Sequence, residues 1–415
     1  MSQLTSKAFD DPAADAGDFL VRIGLTTLAI LVPISVILSR RALFTLVPVG
    51  ASLVFIGGLL LPHVDLRQRL RPMFLSLPGI SGLALLGWCI LSLVWTPFPA
   101  DAAQRLWKSG GTLALIALTI SVLPERTRTS NLYLFPLGLA VASCLTVGVM
   151  LLRPEFLAIQ PEDSTPERAA ISLVILVWPA IGALAVRDRW VASALVAVVV
   201  TVAAISAWTS VALAALAIGA LTFTAATWHP ARVARGMGAL AIILFLLGPA
   251  IPLIIGGPFS TLASRFSEQI PVLTEVAQSV TNWGTITRSE PLRLITGHGF
   301  DMLSVAVSSE FIPRPPPRSL LFEVWYELGL VGAVAAAIFA AGAFAAVGRA
   351  SSTVAPFLLA ELAAGFTVAL WGSDTTQLWW VTSLGVGAVA FVHVIRSQYR
   401  TERPVAVVLQ ARPAA

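Results

Sequence analysis

Residues 257–318 contain the side chains best suited to bind a phosphate and to move a proton. Arginine is permanently charged and forks two N–H donors onto phosphate oxygens, so it suits a pyrophosphate. His298 stands between Gly297 and Gly299, which let the backbone approach a ligand closely, and histidine exchanges a proton near neutral pH. The alternative for His298 is a loop residue with a structural hydrogen bond. The segment contains Arg265, Arg288, Arg293, His298, Arg314 and Arg318, the prolines at 315–317 and the string Thr296–Asp301.

Arg168 is a further candidate for binding an anion. It follows Pro166 and Glu167 and begins an apolar run, so we expect it at the N-terminus of a helix. Backbone N–H groups and the helix dipole favour an anion at that position. The alternative is an arginine that anchors the helix at the membrane interface with its charge in water.

Three glutamates fall within apolar runs. Glu323 and Glu327 are spaced i, i+4 and therefore share one helix face. Because carboxylates in a membrane rarely face lipid, they either pair with arginines of the segment 257–318 or contact a substrate. For Glu361, within an apolar run, we expect a structural bond from its side chain to another helix; the alternative is a role in a proton relay.

Some kinds of site are not indicated by the sequence. There is no Asp-X-Asp outside the predicted spans to hold a metal with a sugar diphosphate, no Cys/His zinc spacing, no P-loop and no Gly-X-Ser-X-Gly. The net charge of +5 comes mostly from arginines scattered between apolar runs, which is typical of topology determinants. We therefore expect no metal, no cofactor and no nucleic-acid partner.

These residues are set in a mostly apolar chain. Hydrophobic residues make up 57% of the 415 residues and charged residues 12%, with a mean hydropathy of +0.84. Soluble domains have about a quarter charged residues, and several runs approach the roughly 20 apolar residues that cross a bilayer as a helix. The sequence therefore predicts an all-α polytopic membrane protein in contact with membrane lipids. About twelve transmembrane helices are predicted near residues 20–38, 42–61, 79–96, 109–123, 133–152, 168–186, 190–207, 209–227, 236–256, 319–347, 353–371 and 378–395.

The arginines between the spans predict the orientation. Short connections rich in arginine usually lie on the cytoplasmic side of a membrane. If the N-terminus is cytoplasmic, most of the arginine-rich connections of this chain lie on that side. The exceptions are Arg40, Arg41, Arg105, Lys108 and Arg153. This orientation makes residues 257–318 one large extracytoplasmic loop between spans nine and ten. The predicted organisation is a cytoplasmic tail at 1–19, spans one to nine at 20–256, the loop at 257–318, spans ten to twelve at 319–397 and a cytoplasmic tail at 398–415.

Four short motifs resemble the O-antigen ligase and polymerase superfamily. Arg318–Gly332 (RSLLFEVWYELGLVG) is similar to the segment after that family's large periplasmic loop, with Ser319, Gly329 and Gly332 at the matching spacing. The stretch 291–300 resembles the family's Pro-Leu-x-Gly-x-Gly, although Pro291 lies further from Gly297 than in that pattern. The family's Asn-Arg-Gly segment ending in Trp-Pro is similar to 167–180, and its Trp-Ser-x-x-Pro is similar to 95–99.

The resemblance implies a metal-independent glycosyltransferase of the bacterial inner membrane, with its active site facing the periplasm. The donor would be a glycan on undecaprenyl pyrophosphate, and the acceptor a lipid A–core sugar in a ligase or another glycan in a polymerase. Arg168 and Arg318 would bind the pyrophosphate, and Arg265 and Arg288 are the candidates for the family's second pyrophosphate arginine. The rival interpretation is a transporter or lipid flippase that uses Glu361.

Arg318 is also the main departure from the family, because the family's catalytic histidine falls at this position. Three interpretations follow. His298 accepts the proton in place of the family histidine, or Arg318 serves only the diphosphate, or the chain has an altered or lost activity. The expected catalytic residues are therefore His298 and Arg318.

Overall fold

Helices make up nearly all of the structure, a computed structural model that describes residues 12–61, 65–124, 132–152, 166–266, 271–317, 319–371 and 379–396. No strand occurs within these ranges. We number the helices α1 (Pro12–Leu38, with a π-helical turn at Thr27–Leu31), α2 (Arg40–Leu60), α3 (Leu66–Phe74), α4 (Leu77–Ser92), α5 (Pro99–Val122), α6 (Leu134–Leu152), α7 (Pro166–Ala185), α8 (Trp190–Ser206), α9 (Ser210–Trp228), α10 (Pro230–Leu247), α11 (Ala250–Arg265), α12 (Pro271–Ser289), α13 (Arg293–Thr296), α14 (Met302–Ser308), α15 (Leu320–Val347), α16 (Ala355–Trp371) and α17 (Trp379–Arg396).

The length and composition of these helices are those of a polytopic membrane protein. Eight of the described helices are long and apolar enough to cross a membrane: α1, α2, α6, α7, α9, α10, α15 and α17. The pair α3 and α4, bent by 79°, makes nine if it forms one span, and α8 and α16 are shorter apolar helices. The predicted class is therefore confirmed, whereas the count of twelve stays a prediction. The ninth predicted span, 236–256, is divided between α10 and α11 at Gly248 and Pro249.

Helix α7 forms the centre of the largest hydrophobic cluster. Every residue from Ala169 to Ala185 is buried, as expected for a helix that is apolar on all sides. The indole of Trp178 packs against Gly219 of α9, where a Cβ would come within 2.5 Å of the ring. This packing places Arg168 at the N-terminus of the most enclosed helix of the bundle.

Contacts between helices define two ends of the bundle. Thr209, just before α9, bonds Glu167 at the start of α7 over 3.4 Å. Helix α9 then crosses the bundle and α10 returns, ending where Trp325 of α15 donates to the carbonyl of Phe245 over 2.7 Å. The starts of α7 and α15 therefore lie at the same end, which we call the Arg168 end. At the opposite end, Arg69 and Arg396 both donate to the carbonyl of Leu123 after α5.

The segment 257–318 is largely helical. Helix α11 runs through the predicted boundary at 256–257 and packs against α12. The two helices are close enough that a Cβ added to Gly284 of α12 would lie 3.5 Å from the carbonyl oxygen of Pro252 of α11. After α12 the chain forms the short helices α13 and α14 and then leads into α15. Its placement outside the cytoplasm stays a prediction.

Candidate functional site

The string Thr296–Asp301 packs against a break in α15. At Gly329 the backbone leaves the helical conformation, with φ of 63° and ψ of −157°, so the first part of α15 ends at Leu328. The last carbonyls of a helix have no partner within it. Here Tyr326 accepts from the N–H of His298 over 2.8 Å, and Glu327 accepts from that of Gly299 over 2.9 Å. The carbonyl of Leu328 accepts from the indole of Trp88 over 2.9 Å.

Glycine is required at the contact between this loop and α15. Gly297, Gly299 and Gly329 all have positive φ, a conformation that is strained for residues with a Cβ. A Cβ on Gly297 would overlap the carbonyl of Glu327, and a Cβ on Gly329 would lie 2.6 Å from the backbone nitrogen of Gly297. The glycines on either side of His298 therefore allow the backbone of the loop to pack closely against neighbouring backbone. This close packing holds the histidine in a fixed position.

The imidazole of His298 is held on three sides. Its Nδ1 lies 2.9 Å from the carbonyl of Tyr326, and its ring stacks on the Tyr326 ring with centroids 4.1 Å apart. Its Nε2 lies 2.8 Å from the carboxylate of Glu290. A carbonyl only accepts, so Nδ1 donates to Tyr326; the Glu290 carboxylate also only accepts, so Nε2 donates to it in this arrangement. The side chain of Glu290 is 54% exposed, so it can turn into solvent; a neutral ring that keeps its proton on Nδ1 then presents the lone pair of Nε2 to a hydrogen-bond donor.

A small cleft opens beside His298. Its polar lining includes Glu290 and Arg293, which are one helical turn apart in the sequence. The rest of the lining is mainly apolar or aromatic, and Trp283 and Phe322 meet edge to face with centroids 5.6 Å apart. The cleft therefore combines a histidine, a carboxylate and a guanidinium with an aromatic wall. Its lining residues are Trp283, Ile286, Thr287, Glu290, Arg293, Leu294, His298, Phe322, Trp325 and Tyr326.

Arg105, from the start of α5, fastens the loop to α15. Its guanidinium bonds Asp301 and, over 3.2 Å, Glu323, and it lies 5.7 Å from the centre of the Phe300 ring. Glu327, one turn after Glu323, accepts from the backbone N–H of Leu303 over 3.1 Å. Burial acts to lower the pKa of Arg105, but the surrounding carboxylates outweigh burial and hold this pKa above its ordinary value. The arginine is therefore charged in this cluster.

Sequence reasoning missed this role of Arg105. We expected that Glu323 would either pair with an arginine of the segment 257–318 or contact a substrate. One partner of Glu323 comes from α5, 218 residues earlier in the chain. The one signal was topological, since Arg105 is among the basic residues that do not fit the predicted orientation.

The residues predicted to bind pyrophosphate do not all meet at this cleft. Arg168 is half-buried at the Arg168 end of the bundle. Arg288 is exposed on α12 and does not line the cleft. Arg265 is exposed at the end of α11, beside the start of α12, whereas the cleft is formed by the opposite end of α12. Arg318 lies outside the described residues, directly before Ser319, whose hydroxyl accepts from Leu321 at the start of α15.

Arg293 and Glu290 are the cleft residues that the sequence did not single out as site residues. Arg293 was one of several arginines in the segment, and Glu290 was one of its acidic residues. Their spacing to His298 carries no signal by itself, because the turn between α12 and α13 brings them to the imidazole. The chain matches no protein-family model, no curated protein and no solved structure.

Proposed function

We propose that this protein is a glycosyltransferase that moves a glycan from undecaprenyl pyrophosphate to lipid A–core, as the resemblance to O-antigen ligases implies. The observation that carries the proposal is the cleft beside His298. There an imidazole whose Nδ1 is held by a backbone carbonyl, an exposed carboxylate and the guanidinium of Arg293 meet at one end of an apolar helix bundle. These are the groups that a transfer from a pyrophosphate needs.

The proposed reaction uses His298 as the base. For the reaction, the Glu290 carboxylate turns away from Nε2 and the neutral ring keeps its proton on Nδ1 alone. The acceptor hydroxyl then donates to Nε2, attacks the anomeric carbon and gives its proton to that nitrogen. The bond between the anomeric carbon and the pyrophosphate oxygen breaks, and undecaprenyl pyrophosphate leaves with the electron pair. Arg293 neutralises the negative charge that develops on the leaving group, a role that the resemblance also implies for Arg168 and Arg318.

The proposed orientation places the cleft in the periplasm. Arg69 and Arg396 lie at the end of the bundle opposite the cleft, and Arg187 is there too, 5.2 Å from the Tyr133 ring. Because basic residues collect on the cytoplasmic side, this end would face the cytoplasm. The twelve predicted transmembrane helices, embedded in the bacterial inner membrane, would then hold the polyprenyl chain beside the cleft. Both lipid substrates would reach the cleft from the plane of the membrane.

A transfer assay tests the proposal. Purified protein is mixed with a labelled undecaprenyl-pyrophosphate glycan and lipid A–core, and the labelled product is measured for the wild type, His298→Ala and Arg235→Ala. Arg235 is exposed near the start of α10, at the end opposite the cleft, and serves as the matched control. We expect transfer in the wild type and the control and its loss in His298→Ala. Equal transfer in all three proteins would exclude His298 as the base.

The acceptor decides between a ligase and a polymerase. In a strain that lacks the gene, a ligase leaves full-length glycans unlinked, whereas a polymerase leaves single repeats on the acceptor. Movement of the intact labelled lipid across a vesicle membrane, with no bond cleaved, would instead indicate a flippase and contradict the proposed transfer.

A further inference from the structure

Glu361 is a carboxyl group buried inside the apolar part of the bundle. It lies in the middle of α16, with only 3% of its surface exposed. Within the described part of the chain, no hydrogen-bond donor reaches its Oε1 atom. The proposed glycosyl transfer does not use it.

Glycine at position 387 of α17 makes the space for this carboxyl group. A Cβ on Gly387 would overlap Oε1 of Glu361, so any larger residue would force the carboxyl group out. The two helices are also tightly packed on either side of this contact. A Cβ on Gly365 would lie 2.7 Å from the Leu384 side chain, and Phe357 and Phe391 are both buried one turn further along.

The neighbouring helices provide no charged partner at this level. Along the described residues of the helices that pack against α16, charged and titratable side chains occur near the helix ends, and none of the described hydrogen bonds or ion pairs joins one to Glu361. These side chains are Glu167 and Arg168 on α7, Arg232 and Arg235 on α10, Glu323, Tyr326 and Glu327 on α15, and His393 and Arg396 on α17; α9 has none.

An ionised carboxylate in this position would lack both water and a counter-ion. The protonated form has no net charge and avoids most of that cost. We propose that Glu361 and the notch at Gly387 form a proton-binding site inside the membrane, and that the bound proton keeps α16 packed against α17. Release of the proton places a negative charge between the two helices and separates them.

Helix α17, which would respond to this proton, contacts α7 and α5, and both of these helices extend to the Arg168 end. Ser383 of α17 donates to Ser172 of α7 over 3.2 Å, one turn from Arg168. A Cβ on Gly385 of α17 would overlap Ile116 of α5, the helix that carries Arg105. Proton binding at Glu361 therefore acts on the helices that position both arginines.

Infrared difference spectroscopy measures the protonation state directly. Spectra of the wild type, Glu361→Gln and Glu275→Gln are compared near neutral pH, with Glu275 as an exposed control on α12. We expect the wild type to show the carbonyl band of a protonated carboxylic acid, and Glu361→Gln to lose it while Glu275→Gln keeps it. If Glu361→Gln instead loses the bands of an ionised carboxylate, the proposal is overturned.

Chemical labelling tests the same site in the wild type and needs no variant to fold. A hydrophobic carbodiimide adds to a protonated carboxyl group in an apolar environment, and the adduct is located by peptide mass spectrometry. We expect labelling of Glu361 that falls several-fold as the pH is raised, together with slower labelling of Glu275. Labelling of Glu361 that is absent, or that does not fall with pH, contradicts a bound proton.

Discussion

The carbonyl of Tyr326 accepts two hydrogen bonds from His298, one from its backbone N–H over 2.8 Å and one from Nδ1 over 2.9 Å. That carbonyl is available because α15 breaks three residues later, at Gly329. The break in the helix therefore sets both the position and the tautomer of the histidine. A histidine with these two bonds presents Nε2 to the cleft, which is the orientation that a general base needs.

Replacement of His298 by alanine removes the proposed base. General-base catalysis contributes about 10²–10⁴-fold to a rate, so we expect His298→Ala to lower the rate of glycan transfer by that factor. Initial rates with a labelled lipid-linked donor measure it. His229, exposed at the turn between α9 and α10, is the control, and His229→Ala should transfer at the wild-type rate. A loss below tenfold in His298→Ala would assign the proton transfer to another group.

Replacement of Arg293 tests the arginine that lines the cleft. A hydrogen bond to a charged group contributes about 1.5–3 kcal/mol, so Arg293→Ala should raise the KM for the pyrophosphate donor by roughly ten- to a hundredfold. Arg265→Ala and Arg288→Ala test the arginines implied by the family resemblance, which lie away from the cleft. If these two variants raise the KM and Arg293→Ala does not, the donor binds outside the cleft.

Substitution of Gly329 by alanine is expected to destabilise the loop contact. Its backbone, with φ of 63° and ψ of −157°, lies in a region that is essentially restricted to glycine and that costs other residues about 1–3 kcal/mol. The new Cβ would also lie 2.6 Å from the carbonyl oxygen of Ile295. We therefore expect a lower midpoint of thermal unfolding in detergent. Gly257, in helix α11 with open space around its Cβ position, is the matched control. An equal midpoint for both variants would show that the loop adapts to the side chain.

Loss of Arg105 removes the cation that bridges two nearly buried carboxylates, Asp301 and Glu323. Removal of one partner from a buried ion pair costs about 3–5 kcal/mol, and the side chain of Arg105 is 17% exposed, so we expect Arg105→Met to fall near the lower bound. Arg105→Lys should recover only part of the loss, because an ammonium group lacks the planar fork that reaches both carboxylates. Chemical denaturation measures the loss.

A double-mutant cycle with Glu323→Gln separates this pairing from general damage to the fold. We expect the effects of Arg105→Met and Glu323→Gln to be less than additive, since each removes the same contact. Strictly additive effects would contradict a direct contribution of the pair to stability.

The sequence by itself determined the class of the protein and most of the helices. Apolar runs of about 20 residues reveal helices that can cross a bilayer, because the length of the run is set by the thickness of the membrane. The pattern also predicted that Glu323 and Glu327 share a face, which follows from the helical repeat. It did not predict the division of the ninth span at Gly248 and Pro249, since both parts are equally apolar.

Only the tertiary structure decided which residues meet. Arg105 reaches Asp301 across 196 positions of sequence, and Gly297 contacts Gly329 because α15 breaks there. Periodicity tells which face of a helix is apolar, but it does not tell which other helix or loop covers that face. The partners of His298 therefore became clear only in three dimensions. Its flanking glycines were visible in the sequence, whereas Tyr326 and Glu290 reach the imidazole through the packing of the loop against the broken helix.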